Sequence, residues 1–361
     1  MSSTESTTSE STSESTSESR TSAPSATPRR CLVTGGGGFL GRAIVEALLA
    51  RGDQVTVLAR GDYPELRAMG CRQVRADLGG ADDLAPHLAG VDVVFHAASK
   101  TGVWGSREDF FHTNVGGVER LLAACRAAQI GRFVYTSSPS ATFDGRDAKG
   151  ATEADCPYPT HFEAPYPESK AVAEAMVLAA NSPTLATVAL RPHLIYGPRD
   201  PHIVPRLIAR RRQGRLRRVG DGHNKVGITF VDNAAQAHLN AADRLQPGAA
   251  CAGKAYFITD AEPITLWSWI DELLVAVGEK PVSGAVSVGT AVTAGRLLQW
   301  IWGTFGLRGE PPMTPFVAKE LASSHWYDLS GAARDLGYAP AVSGAEGFAR
   351  TVAYFRAHPP A

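Results

Sequence analysis

In Tyr166-Pro167-Glu168-Ser169-Lys170 a phenol and an ammonium stand four residues apart, at the head of a run from Ala171 to Ala180 that reads as a helix. That spacing places both groups on one helix face, one turn apart. Moving a hydride to a carbonyl carbon leaves negative charge on the oxygen, so an acid must deliver a proton there. Tyr166 is the candidate acid, and Lys170 is a fixed cation that should favour the phenolate and lower the phenol pKa. Upstream, Phe133-Val134-Tyr135-Thr136-Ser137-Ser138-Pro139-Ser140 starts as a buried strand and ends in hydroxyls. Ser138, or Ser140 in its place, would orient the carbonyl and stabilise its developing charge. The three residues describe reversible carbonyl/alcohol redox.

A second set of residues reads as a phosphate site. Cys31 to Thr34 forms a short apolar strand, and Phe39 onward a helix with Leu40, Ile44, Ala47 and Leu48 on one side. The glycines between them therefore occupy a strand-to-helix turn. Gly35 can take dihedrals closed to other residues, Gly38 lets a ligand touch the backbone, and Gly41 lets the helix pack on the strand. The first helical residues, Phe39 and Leu40 among them, present free N–H groups to an anion.

Thr34-Gly35-x-x-Gly38-Phe39-x-Gly41, the Thr136-Ser137-Ser138 strand end and Tyr166-x-x-x-Lys170, in that order and at these intervals, resemble the extended branch of the short-chain dehydrogenase/reductase superfamily. The resemblance implies an α/β fold: a Rossmann doubly wound parallel sheet with a smaller C-terminal substrate domain. It also implies a nicotinamide cofactor, with Lys170 bonding the nicotinamide ribose. In that fold the end of the second strand, Gln54 to Ala59, faces the adenosine ribose. Arg60 stands there with no acid at the strand end, although Asp62 is close. A guanidinium pairs with the 2'-phosphate of NADP where a carboxylate would take the ribose hydroxyls of NAD, so NADP(H) is expected and NAD(H) stays open. Asp77-Leu78, ending a third strand from Gln73, resembles the pair that contacts adenine. Ala97 and Ala98, after a fourth strand from Val91 to Phe95, let the backbone approach the cofactor, and His96 is read as packing. Asn114 resembles the family's N-x-x-G-T helix, or is a structural amide. A sixth strand, Thr187 to Leu190, leads into Arg191-Pro192-His193-Leu194-Ile195-Tyr196-Gly197-Pro198, which resembles the family's L-R-P-x-x-x-Y-G-P segment; the resemblance implies that Pro192 and Leu194 lie beside the nicotinamide. Gly227 to His238 resembles the last core strand and its helix, with Asn233 in place of the commoner Asp.

The expected organisation is a disordered Ser/Thr/Glu-rich tail over 1–30 and a Rossmann domain over 31–198, completed by about 226–258. Residues 199–225 and 259–361 make up the substrate region. Lys+Arg and Asp+Glu both number 36, which gives no field to attract nucleic acid. Five scattered cysteines without a C-x-x-C pair point to a reducing compartment, and no histidine spacing implies a metal. With no secretory or transit signature, cytoplasmic residence is expected. Residues 285–307 are strongly apolar, yet Arg296 and Gln299 fall in the middle, against a transmembrane span. A lid, a wall for alkyl chains, or a partner or peripheral membrane contact are the readings for that stretch. The dense arginines from Arg206 to Arg218 form a solvated helix face or anchor a substrate carboxylate or phosphate, with nucleic acid disfavoured.

Arg60-Gly61-Asp62-Tyr63-Pro64, Lys100 to Ser106, Val219 to Val226 and Pro311-Pro312-Met313-Thr314 further resemble the 3β-hydroxysteroid dehydrogenase-like subgroup, in its branch acting on 2-alkyl-3-oxoalkanoates. That resemblance covers nearly everything after Arg30. It implies NADPH-dependent reduction of the 3-keto group of a long-chain β-keto acid in long-chain olefin biosynthesis. The working partners would be a thiolase-like condensing enzyme and a β-lactone synthetase, and a homodimer is expected. A 3β-hydroxysteroid dehydrogenase with a sterol-like substrate is the alternative. A nucleotide-sugar epimerase or dehydratase is opposed by the apolar C-terminal region, and a non-catalytic NADP sensor by the intact Y-x-x-x-K.

Overall fold

The computed structural model describes residues 28–360. Residues 1–27 of the expected tail lie outside the described residues. Its last two positions do not belong to a tail: Arg30 opens the first strand, and the Arg29 amide donates to Asp53 Oδ1 at 3.0 Å.

Strand β1 (Arg30–Thr34) is buried on both faces from Cys31 onward, as expected for the centre of a parallel sheet with both faces covered. Cys31 and Val33 contribute to one hydrophobic core and Leu32 to the other, following the two-residue alternation of a strand. The remaining strands are β2 (Gln54–Ala59), β3 (Arg72–Arg75), β4 (Val93–His96), β5 (Arg132–Thr136), β6 (Ala186–Pro192) and β7 (Lys254–Ile258). They lie in the order β7-β6-β5-β4-β1-β2-β3, and every pairing is parallel. Cys31 of β1 stands opposite Val55 of β2 on one side and Val93 of β4 on the other. Strand order reverses between β1 and β4, which makes the carboxyl edge at that pair the place where such a sheet opens a crevice.

Helix α1 (Phe39–Ala50) covers one face with Ile44, Val45 and Leu48. The other face is covered by α2 (Gly117–Ala127), through Val118, Leu121 and Leu122, and by α3 (Pro165–Ala179), through Ala173 and Val177. Beyond the sheet edge come α4 (Ile203–Arg212), α5 (Val231–Arg244), α6 (Leu266–Ala276), α7 (Val288–Phe305), α8 (Pro315–Glu320) and α9 (Gly344–Ala357). Of these, α5 returns to pack on α1.

The strand read into Gly227 to Val231 is not part of the main sheet. Thr229–Phe230 pairs only with Ile195–Tyr196, and β7 takes the outer position instead. A separate four-stranded sheet joins Ile264–Thr265, Lys225–Val226, His325–Tyr327 and Ala148–Ala151, so a segment from within 31–198 pairs with strands of the region beyond it.

The apolar stretch 285–307 becomes a short strand, Ala285–Val286, followed by α7. Ser287 caps α7 by accepting from the Thr290 amide, and Gly306 ends it at φ 59°, in the left-handed region. One face of α7 presses on α8 at Gly295, where a Cβ would stand 2.7 Å from the Thr314 carbonyl carbon. The opposite face leaves Leu297, Trp300 and Phe305 exposed. No described helix is long and apolar enough to cross a membrane.

Candidate active site

The glycine turn is shaped by close backbone approach. Gly35 has φ 70°, and a Cβ there would meet the Ala98 amide nitrogen at 2.7 Å, so the loop after β4 lies directly on the turn after β1. A Cβ on Gly41 would fall 2.1 Å from the Gly35 carbonyl oxygen. Gly38 starts α1 with no side-chain cap, which leaves its first N–H groups facing outward. Two clefts share Gly35, Gly38, Ala97 and Ser99 and run along the carboxyl edge. The first, about 350 Å3, is bordered by Phe39, Leu40 and Gly41 on one side and by Ser138, Tyr166, Lys170, Pro192 and Leu194 on the other. The second, about 680 Å3, runs past Arg60, Asp77, Leu78 and Ala98. The cofactor candidates singled out from the sequence, together with Ser138, Tyr166 and Lys170, thus line these two adjoining clefts, whereas Ser140 and Asn114 do not.

At the end of β2, Arg60 is exposed and has no hydrogen-bond or ion-pair partner among the described residues. The nearby acid, Asp62, is engaged by Arg67, whose Nη2 lies 3.2 Å from Asp62 Oδ2. The groove at this end therefore presents an unpaired Arg60 beside an Asp62 that is already engaged.

On α3, Pro165 fills the first turn, where its missing N–H costs nothing, and Tyr166 and Lys170 follow on one face. Lys170 is buried and donates to the Thr136 carbonyl at 2.6 Å, with its Nζ 4.3 Å from the centre of the Tyr135 ring. Burial pushes the Lys170 ammonium down to about 7, partly opposed by Glu174. Burial likewise pushes the Tyr166 hydroxyl up to about 12, against the opposing pull of a hydrogen bond with Ser138. The lowered phenol expected from Lys170 is therefore not what the structure shows. Desolvation dominates at Tyr166, and the Lys170 charge is itself weakened and turned toward Thr136. The two candidate serines separate clearly. Ser138 faces the groove and accepts from both Ser140 Oγ (2.9 Å) and the Ser140 amide (3.2 Å), which leaves its own proton to donate; Ser140 is buried beneath it.

Asn114 and His96, both noted in the sequence, and the Glu174–Arg191 pair, which no spacing announces, support this arrangement. Asn114 sits in a single π-type turn, His112–Gly116, a geometry often found beside functional sites. Its amide accepts from the Lys100 N–H at 2.7 Å and donates to Ser169 at 2.9 Å, fixing the loop after β4 to the helix of Tyr166 and Lys170. Glu174, one turn beyond Lys170, forms a buried ion pair with Arg191 (Nη2 to Oε1, 2.6 Å). Burial alone would raise the Glu174 carboxyl, but Arg191 holds it below its usual range. His96 bonds Thr34 Oγ1 at 2.7 Å and burial pushes it down to about 3, so it is a neutral packing residue.

A separate apolar cavity of about 180 Å3 adjoins the groove through Leu194 and Ile203. Its walls include Leu207, Ile228, Leu266, Trp269 and Ile270. Leu194 itself has φ 40°, a strained value for a branched residue, held where the groove and the cavity meet. No residue of 285–307 borders this cavity or the groove, against the expected alkyl-chain wall there; the apolar side chains of the cavity come largely from α4 and α6.

The profile of the 3-beta hydroxysteroid dehydrogenase/isomerase family matches residues 32–284. The chain is 51% identical over 322 residues to a 2-alkyl-3-oxoalkanoate reductase of Stenotrophomonas maltophilia, covering 89% of this chain and 98% of that protein. It is 36% identical to the human decarboxylating sterol-4-alpha-carboxylate 3-dehydrogenase, over 91% of this chain and 88% of that one. Among solved structures, the dTDP-glucose 4,6-dehydratase of Streptomyces venezuelae with NAD bound superposes with a TM-score of 0.70 at 27% identity, covering 91% of this chain and 97% of that chain.

Proposed function

Because the chain belongs to the 3-beta hydroxysteroid dehydrogenase/isomerase family, and is an oxidoreductase with that family's carbonyl/alcohol chemistry, we propose that it reduces the 3-keto group of a 2-alkyl-3-oxoalkanoate with NADPH. The observation that carries this reading is the apolar cavity opening off the Tyr166 groove through Leu194 and Ile203. A hydrocarbon chain finds apolar contact there, each buried methylene contributing about 0.8 kcal/mol. Against Leu207, Ile228, Leu266, Trp269 and Ile270 the hydroxyls of a nucleotide sugar would find no hydrogen-bond partner.

The residues present fit a dinucleotide. The Gly35, Gly38 and Gly41 turn has no room for side chains, the start of α1 offers uncapped N–H groups, and Arg60 has no other partner for its charge. When bound, NADPH supplies the hydride. Ser138, saturated as an acceptor by Ser140, donates its proton to the substrate carbonyl oxygen and holds that oxygen beside Tyr166. As C3 gains a hydrogen and the C=O π bond breaks, Tyr166 gives its hydroxyl proton to the oxygen, yielding the 3-hydroxy acid. A hydroxyl raised to about 12 is protonated at neutral pH, which suits an acid working in the reductive direction. Lys170, anchored by Thr136, keeps two further N–H donors for the ribose and lies one turn from the phenolate that Tyr166 becomes.

A role in long-chain olefin biosynthesis follows from the same substrate, as the reduction that precedes conversion of a 2-alkyl-3-hydroxy acid. A 3β-hydroxysteroid substrate is the second reading, favoured by the apolar cavity alone. NADPH and NADH oxidation measured against 2-alkyl-3-oxo acids, 3-ketosteroids and nucleotide sugars tests the proposal. Turnover should be fastest with the branched keto acid and NADPH. Turnover confined to steroids or sugars refutes it.

A further inference from the structure

We propose that Arg210, backed by Arg206, binds the carboxylate of the substrate at the apolar cavity. The inference rests on the keto-acid reading above and adds to it the residue that distinguishes an acid from a neutral ketone.

Seven arginines fall between positions 206 and 218, and the structure sorts them by partner. Arg206 pairs with Glu310 at 3.0 Å, Arg212 with Glu279 at 2.7 Å, and Arg218 approaches Asp271 at 3.5 Å. Arg211 donates to the Lys280 carbonyl, Arg217 to the Ser283 carbonyl and Arg215 to Gln213. Arg210 alone among them has no side-chain partner among the described residues, and it is one of the two that border the cavity. Its setting is costly for a lone cation: burial, then the neighbouring charge of Arg206, lowers its proton affinity. Charged groups withdrawn from water are normally paired, so a guanidinium left in this position is matched to an anion supplied by the ligand.

The position on α4 sets where that anion would lie. Ile203, which borders both groove and cavity, is followed at three and seven residues by Arg206 and Arg210, so all three share a face of α4. Cα–Cβ bonds on a helix lean toward its N-terminus, so both arginine stems start out in the direction of Ile203, which borders the cavity and the groove alike. The two carboxylates nearby do not occupy the role. Glu310 is shared between Arg206 and the Val103 amide, which donates to it at 3.2 Å. Glu320, also in the cavity wall, forms no ion pair with Arg210, and burial pushes its carboxyl up to about 8. One unpaired cation beside a wall of Leu207, Ile228, Leu266, Trp269 and Ile270 fits an amphiphile with a single carboxylate and a hydrocarbon chain.

The test is calorimetric titration of the NADP-loaded protein with 3-hydroxyhexadecanoate and with its methyl ester, for the wild type and for Arg210→Met and Arg210→Lys. The acid should bind about tenfold or more weakly to Arg210→Met, with Arg210→Lys between it and the wild type, while the ester binds all three alike. NADP affinity, measured in the same samples, should not change. Equal weakening of acid and ester, an unchanged acid affinity, or a wild type that binds neither ligand overturns the inference. Steady-state turnover of a neutral 3-keto ester separates the two levels. If Arg210 fails the titration but keto esters are reduced, only the carboxylate assignment falls. If Arg210 passes and no 3-keto compound is reduced, the anion site stands and the catalytic reading falls.

Discussion

Glu174→Gln probes the coupling between the hidden charges of the site and its chemistry. The Glu174 carboxylate is fully buried and receives Arg191 Nη2 at 2.6 Å, Arg191 Nε at 3.0 Å and the Tyr158 hydroxyl at 2.6 Å. An amide in its place keeps one acceptor but turns N–H donors toward a guanidinium that stays buried without a countercharge. Removing one partner of such a pair costs about 3 to 5 kcal/mol, most of it the unpaired charge left behind. The same carboxylate is the group that supports the Lys170 proton, which burial has already pushed down to about 7. Without it the Lys170 pKa falls further. The ammonium is lost as pH rises through that pKa, so the alkaline limb of carbonyl reduction should move to lower pH. Urea unfolding read by linear extrapolation gives the first quantity, and a pH profile of kcat the second. Adding Arg191→Met should recover part of the lost stability, because the orphaned charge is then gone. A loss below about 1 kcal/mol together with an unshifted alkaline limb would refute the coupling.

Tyr166→Phe should keep fold and NADPH binding but reduce kcat by roughly 100-fold or more, since the proton donor is gone; near wild-type turnover in steady-state assays contradicts its role. Gly41→Ala, whose Cβ would sit 2.1 Å from the Gly35 carbonyl oxygen, should cost about 1 to 3 kcal/mol in chemical denaturation and weaken NADPH. Gly131→Ala, with nothing within 4 Å of the added carbon, is the matched control and should leave NADPH affinity unchanged. Arg60→Asp should weaken NADPH by about tenfold or more and improve NADH, through repulsion at the 2'-phosphate; fluorescence titration showing no change for either cofactor makes Arg60 a mere surface residue.

The groove was readable from the sequence because its determinants are local. Glycines at 35, 38 and 41 are demanded by one strand-to-helix turn, and Tyr166 and Lys170 are set by one turn of one helix. What escaped reading depends on partners far away in the chain. Seven arginines between 206 and 218 look alike until their acceptors are seen, and only then does Arg210 stand apart. The Glu174–Arg191 pair links a helix to a strand and follows from no motif. The phenol pKa went wrong because spacing reveals the neighbouring cation but not the desolvation around both groups. Apolarity in 285–307 announced a buried or binding face without saying which way it points. The structure turns Gly295 inward and Trp300 outward.

The small four-stranded sheet has a consequence for how this enzyme can be made and altered. Its strands come from 148–151, 225–226, 264–265 and 325–327, and the outermost contact joins Ala148 to Ser324 across about half of the chain. Such a sheet closes only after long loops have been brought together, a step whose entropy must be met before the contacts reward it. The substrate side should therefore assemble last, on a nucleotide-binding half already in place, and newly made chains should acquire cofactor affinity before substrate affinity. For the same reason its specificity is not a cassette: exchanging a single contiguous stretch with a relative would cut through this sheet and transplant only some of its strands.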